Sequence, residues 1–571
     1  LVPEGKQKTF LRGLDSELTR MEEIVKDLDL RKELGPLYRA LIQPMMSAKH
    51  KEYLLQEALS KELKKIRGFG QEWRKTLGDS IEQDFFFDPY YKDDGPRLFD
   101  LTRADLINIA LNFGNKSNRD KFVRGYFGRD GAPAAEARLW DLLNRNLNKE
   151  DWDFVQKMGD LFETWRKEAD ILYHNLSGIA PKWIQIEPIT TRHGEYKGWY
   201  FPVIFDSLRS DIQGIKDQVS ADSLFGRDYT KATTTNGYTK ERSGYAAPVD
   251  FQGALQHASG RMQQIMHDIA YRDAVINANK ILSDRGIMDH IKRRYGEQYA
   301  NQLRPWLHDI ANNFNMNEAA SKTTTDIVRR ARFSLMAHAL PANLRVILSP
   351  AMGKFNPVAA ARIWSNWEHY NAIAMEHSKE IPHTYKNMDR DFRESAEAVV
   401  RQANLGDVNA QWTRVLYQPI VWMDQRFRVI TWNTEFEKAR LRGFSVADAA
   451  EIGDSAVRER HSSTGIPDLP AVMRGGEWKK LSTIFYSYFN TNYNWSRQIP
   501  GAVRRGDMAQ LLGVVYGTVI LQAFFNATIF NPPKKDEGVF SFMSRSLLAG
   551  PLATVPFARE AYGQFVEGHP V

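Results

Sequence analysis

The sequence predicts a mainly α-helical chain, an elongated multi-helix assembly with a small extended or β insertion near 178–206 and a C-terminal hydrophobic helical hairpin. Three observations carry that prediction. Apolar residues recur at spacings of three and four through long stretches, the period of helices with one buried face. The one segment of alternating polarity, IQIEPI followed by GWYFPVIF, is short and bounded by Pro and Gly. From Met508 to Phe530 there is no charged residue, in a chain that is otherwise 26% charged.

With 571 residues, the chain is long enough for several domains or one long helical assembly, and its hydrophobic content of 43% excludes global disorder. It has no cysteine, which excludes disulfides, thiolate metal sites and a cysteine nucleophile. The charge of +7 is spread over 77 basic and 70 acidic residues, so attraction to nucleic acid or anionic lipid needs local clustering. The chain begins at Leu1, as a processed product or a piece of a longer chain does, and LVPEGKQKTF has none of the layout of a signal peptide.

Residues 1–100 read as an N-terminal helical region. Leu14, Leu18, Met21, Val25 and Leu28 form the stripe of one amphipathic helix, and Lys61 to Trp73 is basic and helical. Residues 84–100, DFFFDPYYKDDGPRLFD, read as an aromatic and acidic loop broken by Pro89 and Gly95. Residues 101–206 form a helical domain with the small β element. Thr102, followed by Asp105, caps a first helix, and Asn148 or Lys149 opens another, with Trp152, Val155, Met158, Phe162 and Trp165 on one face. A polar connection fills 207–250. A central helical domain spans 251–478, with breaks near Pro305, Pro341, Pro350 and Pro357. The apolar run FSLMAHALPANL within it is too short to span a membrane and reads as a buried helix pair or an interfacial segment. Residues 479–571 combine an aromatic-rich helix with the hydrophobic hairpin.

Catalytic signatures are missing from the sequence. It has no GxxxxGK[ST], GxGxxG, GxSxG or HExxH. His257 and His267 are ten apart and His377 and His383 six apart, neither the i, i+4 spacing of helical metal ligands. The expectation is therefore a non-enzyme with no cofactor and no metal. Four basic patches are candidate phosphate or DNA contacts or solvated helix faces: Lys64 and Lys65 in KELKK; Lys292 to Arg294; Arg329, Arg330 and Arg332 in RRAR; and Arg504 with Arg505.

The C-terminal segment is the most distinctive. At about 1.5 Å per residue, the uncharged run from Met508 could cross the roughly 30 Å of a bilayer's hydrocarbon. Gly513 and Gly517 form a GxxxG, which with Phe524 and Phe525 makes a face for membrane or oligomer packing. Phe485, Tyr486, Tyr488, Phe489, Tyr493 and Trp495 precede the run, as interfacial aromatics do. A second apolar stretch, Val539 to Ala558, completes a hairpin. Gln510, Gln522 and Asn526 temper the run, so a hairpin wholly buried in protein is the competing reading.

The runs LTRADLINIALNFGNKSNRDKFVRGYF, DWDFVQKMGDLFETW, GIAPKWIQIEP and GWYFPVIFD resemble a region of phage-encoded large polyvalent proteins. GYTKERSG, HDIAYRDAVINANKILSD, the long segment MDQRFRVITWNTEFEKARLRGFSVADAAEIGDSAVRERHSS and FYSYFNTNYN are similar to it too, in consistent order from about 100 to 530. The resemblance implies an internal virion, or DNA ejection, protein of short-tailed phages. It implies residence in the virion interior and, after ejection, in the host periplasm and inner membrane. Its implied partners are further copies in a ring, other ejection or portal and core proteins, phage DNA and, conditionally, the host inner membrane. It implies no catalytic residues. The alternatives are a purely structural virion component with the hairpin buried in a protein ring, and a domain of a larger cell-wall or nucleic-acid enzyme.

Overall fold

A computed structural model describes residues 12–66, 80–87, 96–123, 132–178, 186–199, 254–312, 357–384, 408–474 and 490–512, with isolated positions inside these ranges excepted. Of the described residues, 80% are helical, so the fold class is mainly α. The chain forms two compact units, one of residues 1–50, 277–310 and 314–571, the other of 51–276 and 311–313. The connection 207–250, the run FSLMAHALPANL and nearly all of the uncharged hairpin lie outside the described residues.

The helices, in order, are α1 (Met21–Leu28), α2 (Gln43–Ile66), α3 (Arg103–Phe113), α4 (Ala132–Asn146), α5 (Lys149–Thr164), α6 (Arg166–Ser177) and α7 (Ala254–Ser283). They continue as α8 (Arg285–Tyr295), α9 (Glu297–Ala311), α10 (Pro357–Ser365), α11 (Trp367–His377), α12 (Val408–Leu441), α13 (Val446–Arg460) and α14 (Ile499–Arg505). A turn of π-helix, Tyr38–Ile42, leads into α2. Two antiparallel hairpins, β1 (Ser80–Phe87) with β2 (Pro96–Thr102) and β3 (Ile189–Thr191) with β4 (Gly194–Tyr196), are the sheets among the described residues.

In the second unit both sequence-read caps are present. The Thr102 side chain accepts from the Asp105 amide while Asp105 accepts from that of Thr102, and Asn148 and Asp151 do the same for α5. Each box satisfies amides that a helix start leaves without partners. The predicted face of α5 is buried throughout, from Trp152 to Trp165. The β3–β4 hairpin is the β element expected between 178 and 206. It docks on α5 through Tyr196, which stacks on Trp152 at 5.7 Å and donates to Asp153 at 3.1 Å. Trp199 is fully buried, donates its indole N–H to the Leu111 carbonyl at 2.6 Å, and lies where a Cβ on Gly159 would stand.

Three local readings are corrected. The segment read as an aromatic loop contains strands β1 and β2, paired from Phe87↔Pro96 to Ser80↔Thr102. Phe and Thr favour a pleated ladder, and the Pro and Gly that suggested a loop lie mainly in the connection at 88–95. The stripe from Leu14 to Leu28 is interrupted at Thr19 and Arg20, where Arg20 is extended. The Asn494 side chain accepts from the Arg20 amide, and those of Asn490 and Asn494 both donate to the Leu18 carbonyl, replacing helix hydrogen bonds that the break forfeits. Finally, Pro305 sits inside α9 instead of ending it. The lost hydrogen bond is offset by burial of Leu303, Trp306, Leu307 and Ile310, with the Trp306 indole donating to the Pro467 carbonyl at 3.1 Å.

In the first unit α12 and α13 pack side by side, with α10 and α11 against α12. Ile363, Tyr370, Phe427 and Ile430 form one apolar cluster; Ala374, Ile381, Val429, Trp432, Ala450 and Val457 form another. Gly443, at φ +89°, turns the chain between α12 and α13, and Ser445 caps α13. Every residue of α13 from Ala449 to Arg458 is buried, although three of them are charged. Those charges define the next site.

Candidate functional site

The centre of the first unit is ionic. Helix α13 carries Glu451, Asp454 and Arg458 at spacings of three and four, so the three share a face. Small residues around them (Ala449, Ala450, Gly453, Ser455, Ala456) let neighbouring segments approach from every side. Gly453 is the closest approach, because a Cβ there would lie 2.8 Å from the Trp432 indole nitrogen.

Arg458 spends its guanidinium on three carboxylates. Its Nε and one terminal nitrogen donate to the two oxygens of Glu22 at 3.0 and 3.2 Å, and it reaches Glu380 at 3.2 Å and Glu451 at 3.1 Å. It also donates to the Tyr38 hydroxyl at 2.8 Å, which in turn donates to Glu451 at 2.9 Å. Glu380 continues the chain of charges, accepting from Lys49 at 2.8 Å. Lys49 also meets Asp468 at 2.8 Å, and the Ser463 hydroxyl donates to the same Asp468 oxygen. Lys26 and Lys379 stand at the edge, 3.7 Å from Glu22 and 3.6 Å from Glu451.

The electrostatics follow from that geometry. Burial alone would raise the Glu22 carboxyl, but Arg458 and Lys26 outweigh it and hold Glu22 well below the usual carboxylate range. Glu380 is likewise lowered against its burial, by Lys49 and Arg458. Arg458 is held far above its ordinary value by Glu22, Tyr38, Glu451 and Glu380, against the desolvation that opposes its charge. Asp454 goes the other way: burial, then the neighbouring Glu451 and Glu380, push it up to about 7. Its oxygens accept from the Ser378 hydroxyl, the Trp432 indole at 2.9 Å and the Lys379 amide at 2.9 Å.

A second cluster continues the first toward the C-terminal segment. Asp15 accepts from Arg497 at 2.8 Å and from the hydroxyls of Tyr493 and Tyr299, and Arg497 also donates to Asp27 at 2.7 Å. Arg20 donates its guanidinium to the carbonyls of Arg458 and Glu459. Together these contacts bind residues 15–50 to α13, to the 463–468 segment and to 490–498. Every core member of the ionic network, from Glu22 to Asp468, is at most 6% exposed. Chemically the arrangement pairs buried charges and ties together segments that are distant in sequence.

The second unit has an open cleft of about 480 Å³ lined by Phe113, Arg119, Glu136, Trp140, Pro188 and Thr190, among others. Arg119 is committed there to Glu136 at 2.7 Å and Glu187 at 2.9 Å, and Phe113 stacks on Trp140 at 5.4 Å.

Of the residues singled out in the sequence, Tyr493 joins the Asp15 cluster, and Arg504 is exposed on α14. Lys292, Arg293 and Arg294 form an exposed last turn of α8, where cations complement the helix dipole. Lys64 and Lys65 lie on the last turn of α2 and Arg505 on α14, with side chains outside the described set. Gly513, Gly517, Phe524, Phe525, Phe485, Tyr486, Tyr488, Phe489, Trp495, Arg329, Arg330 and Arg332 lie outside the described residues altogether. Among the described residues no helix is long and apolar enough to cross a membrane, and no group of His, Asp or Glu is arranged to hold a metal ion. His267 instead pairs with Glu52 at 3.1 Å, and His377 stacks on Phe436. No protein family, curated protein or solved structure matches this chain.

Proposed function

We propose that this chain is an internal virion protein of a short-tailed phage, ejected with the genome and assembled into part of a conduit across the host envelope. In this reading residues 480–558 make the membrane contact or the packing between copies in a ring, and the basic helices face DNA. The reading assigns no catalytic residue. It rests on the resemblance and on the uncharged run, and one structural observation supports it. Helix α14 is tied down through Arg497 and Gln498, and the run begins directly after it with Met508 and Leu512 at 60% and 62% exposure. Apolar side chains exposed at the end of an anchored helix, as Met508 and Leu512 are, suit insertion or assembly better than burial in the chain's own core.

Flotation with zwitterionic vesicles at high salt, with and without residues 508–558, tests the membrane contact. The proposal predicts flotation of the intact protein and its loss in the shortened one. A second reading, a structural virion component with the hairpin buried in a protein ring, is favoured by Gln510, Gln522 and Asn526 within the run. It predicts a defined oligomer in detergent-free buffer, with the hairpin protected from protease.

A further inference from the structure

The open cleft of the second unit combines two chemistries. Its floor is apolar, made by buried Phe113 and Ile189. Above it stands Trp140 of α4, half-buried, stacked on Phe113 at 5.4 Å and set edge-on to Trp152 at 5.9 Å. Packed in this way, the indole is held in place before any ligand arrives. The wall beside it is polar. Arg119 lies 2.7 Å from Glu136 and 2.9 Å from Glu187, and donates to the Phe113 carbonyl at 3.1 Å. Each carboxylate meets Arg119 through one oxygen and is about half exposed, 41% for Glu136 and 48% for Glu187, so its other oxygen is open to a donor. Thr190 of β3 adds an exposed hydroxyl, which both donates and accepts. The volume of about 480 Å³ falls in the range of small-molecule sites.

We propose that this cleft binds a neutral saccharide, with a sugar ring against Trp140 and its hydroxyls donating to Glu136 and Glu187. The charges in the cleft decide the ligand class. An anion finds no free cation there, because all three Arg119 nitrogens face Glu136, Glu187 or the Phe113 carbonyl, and the two carboxylates repel it. A cation finds its aromatic seat taken, since the Arg119 guanidinium already stands 5.9 Å from the Phe113 ring centre. A wholly apolar ligand would strip water from two carboxylates and return no hydrogen bond. A sugar meets each demand without charge. Its hydroxyls are donors for the open carboxylate oxygens, and the slightly positive C–H bonds of one ring face rest on the negative π-system of an indole. The Arg119 pairs hold both carboxylates in position, so little side-chain freedom is lost on binding.

The site uses none of the residues of the uncharged run, so either assignment can fail alone. The test is isothermal titration calorimetry of the full chain with maltotriose, cellotriose and tri-N-acetylchitotriose at millimolar concentration, with trilysine and triaspartate as charged controls. Wild type is expected to bind at least one of the three saccharides and neither charged peptide. Trp140→Ala removes the platform and is expected to weaken that binding by about tenfold or more. Ala137→Arg keeps the test open should Trp140→Ala fold poorly. Ala137 is exposed on α4 and lines the cleft, so a long side chain there obstructs the site without entering the core. It is expected to lose saccharide binding by about tenfold or more with unchanged circular dichroism. Binding of none of the three saccharides by wild type overturns the proposal, as does wild-type affinity in Ala137→Arg. Binding of trilysine or triaspartate that Ala137→Arg abolishes, with the saccharides ignored, overturns it in favour of a charged ligand.

Discussion

Arg458 grips both carboxylate oxygens of Glu22 across 436 positions of sequence, at 3.0 and 3.2 Å, with the two side chains 1% and 6% exposed. This fork joins the start of the described chain to α13. A bidentate guanidinium–carboxylate pair fixes orientation as well as distance, which suits a junction between segments with no local sequence reason to meet.

Removing Arg458 leaves Glu22, Glu380 and Glu451 buried without their shared cation. Arg458→Met is therefore expected to cost about 3–5 kcal/mol in urea unfolding of the full chain. A cycle with Glu22→Gln should give a coupling of at least about 1 kcal/mol, since the two share one network. Additive losses would mean that the pair does not join the segments.

The pH profile has two arms. Glu22, Glu380 and Asp15 are held below their ordinary values of 4.5, 4.5 and 3.8, so the stability they contribute is present above those values and is lost as pH falls through the lowered ones. Asp454 is raised from 3.8 to about 7, so the folded state binds its proton more tightly than the unfolded chain does. Its contribution is fully present below 3.8 and declines as pH rises to about 7. Melting temperature followed across pH should fall over that upper window in wild type and stay flatter in Asp454→Asn. An unchanged slope in the variant would place the titration elsewhere.

Gly453→Ala and Gly159→Ala each drive a methyl into an indole, that of Trp432 at 2.8 Å and that of Trp199 at 2.4 Å. Both rings are fully buried and cannot swing away. Each substitution is expected to destabilise by about 1–3 kcal/mol, although alanine normally favours a helix. A gain in melting temperature in either variant would show that the packed indole yields freely.

What could be read in the sequence was local. Thr102 and Asp105 lie three residues apart, Asn148 stands just before an apolar stripe, and the α5 face repeats every three or four, so each follows from helix geometry alone. The β1–β2 hairpin was obscured because its aromatic strands border a Pro- and Gly-rich connection. The ionic centre was hidden for a different reason: a helix reading VADAAEIGDSAVRER resembles a solvated face, and the partners of its charges lie hundreds of residues away. One signal was present in that string. Small residues surround Glu451, Asp454 and Arg458 on all sides of the helix, a pattern of close packing all round and not of a surface.

The most direct test of the functional account is flotation of the intact chain and of one lacking residues 508–558 with phosphatidylcholine vesicles at high salt, where charge-driven docking is screened. The account predicts that the intact protein floats and the shortened one stays at the bottom of the gradient, with the same urea midpoint for the ionic core. Equal flotation of the two would contradict it.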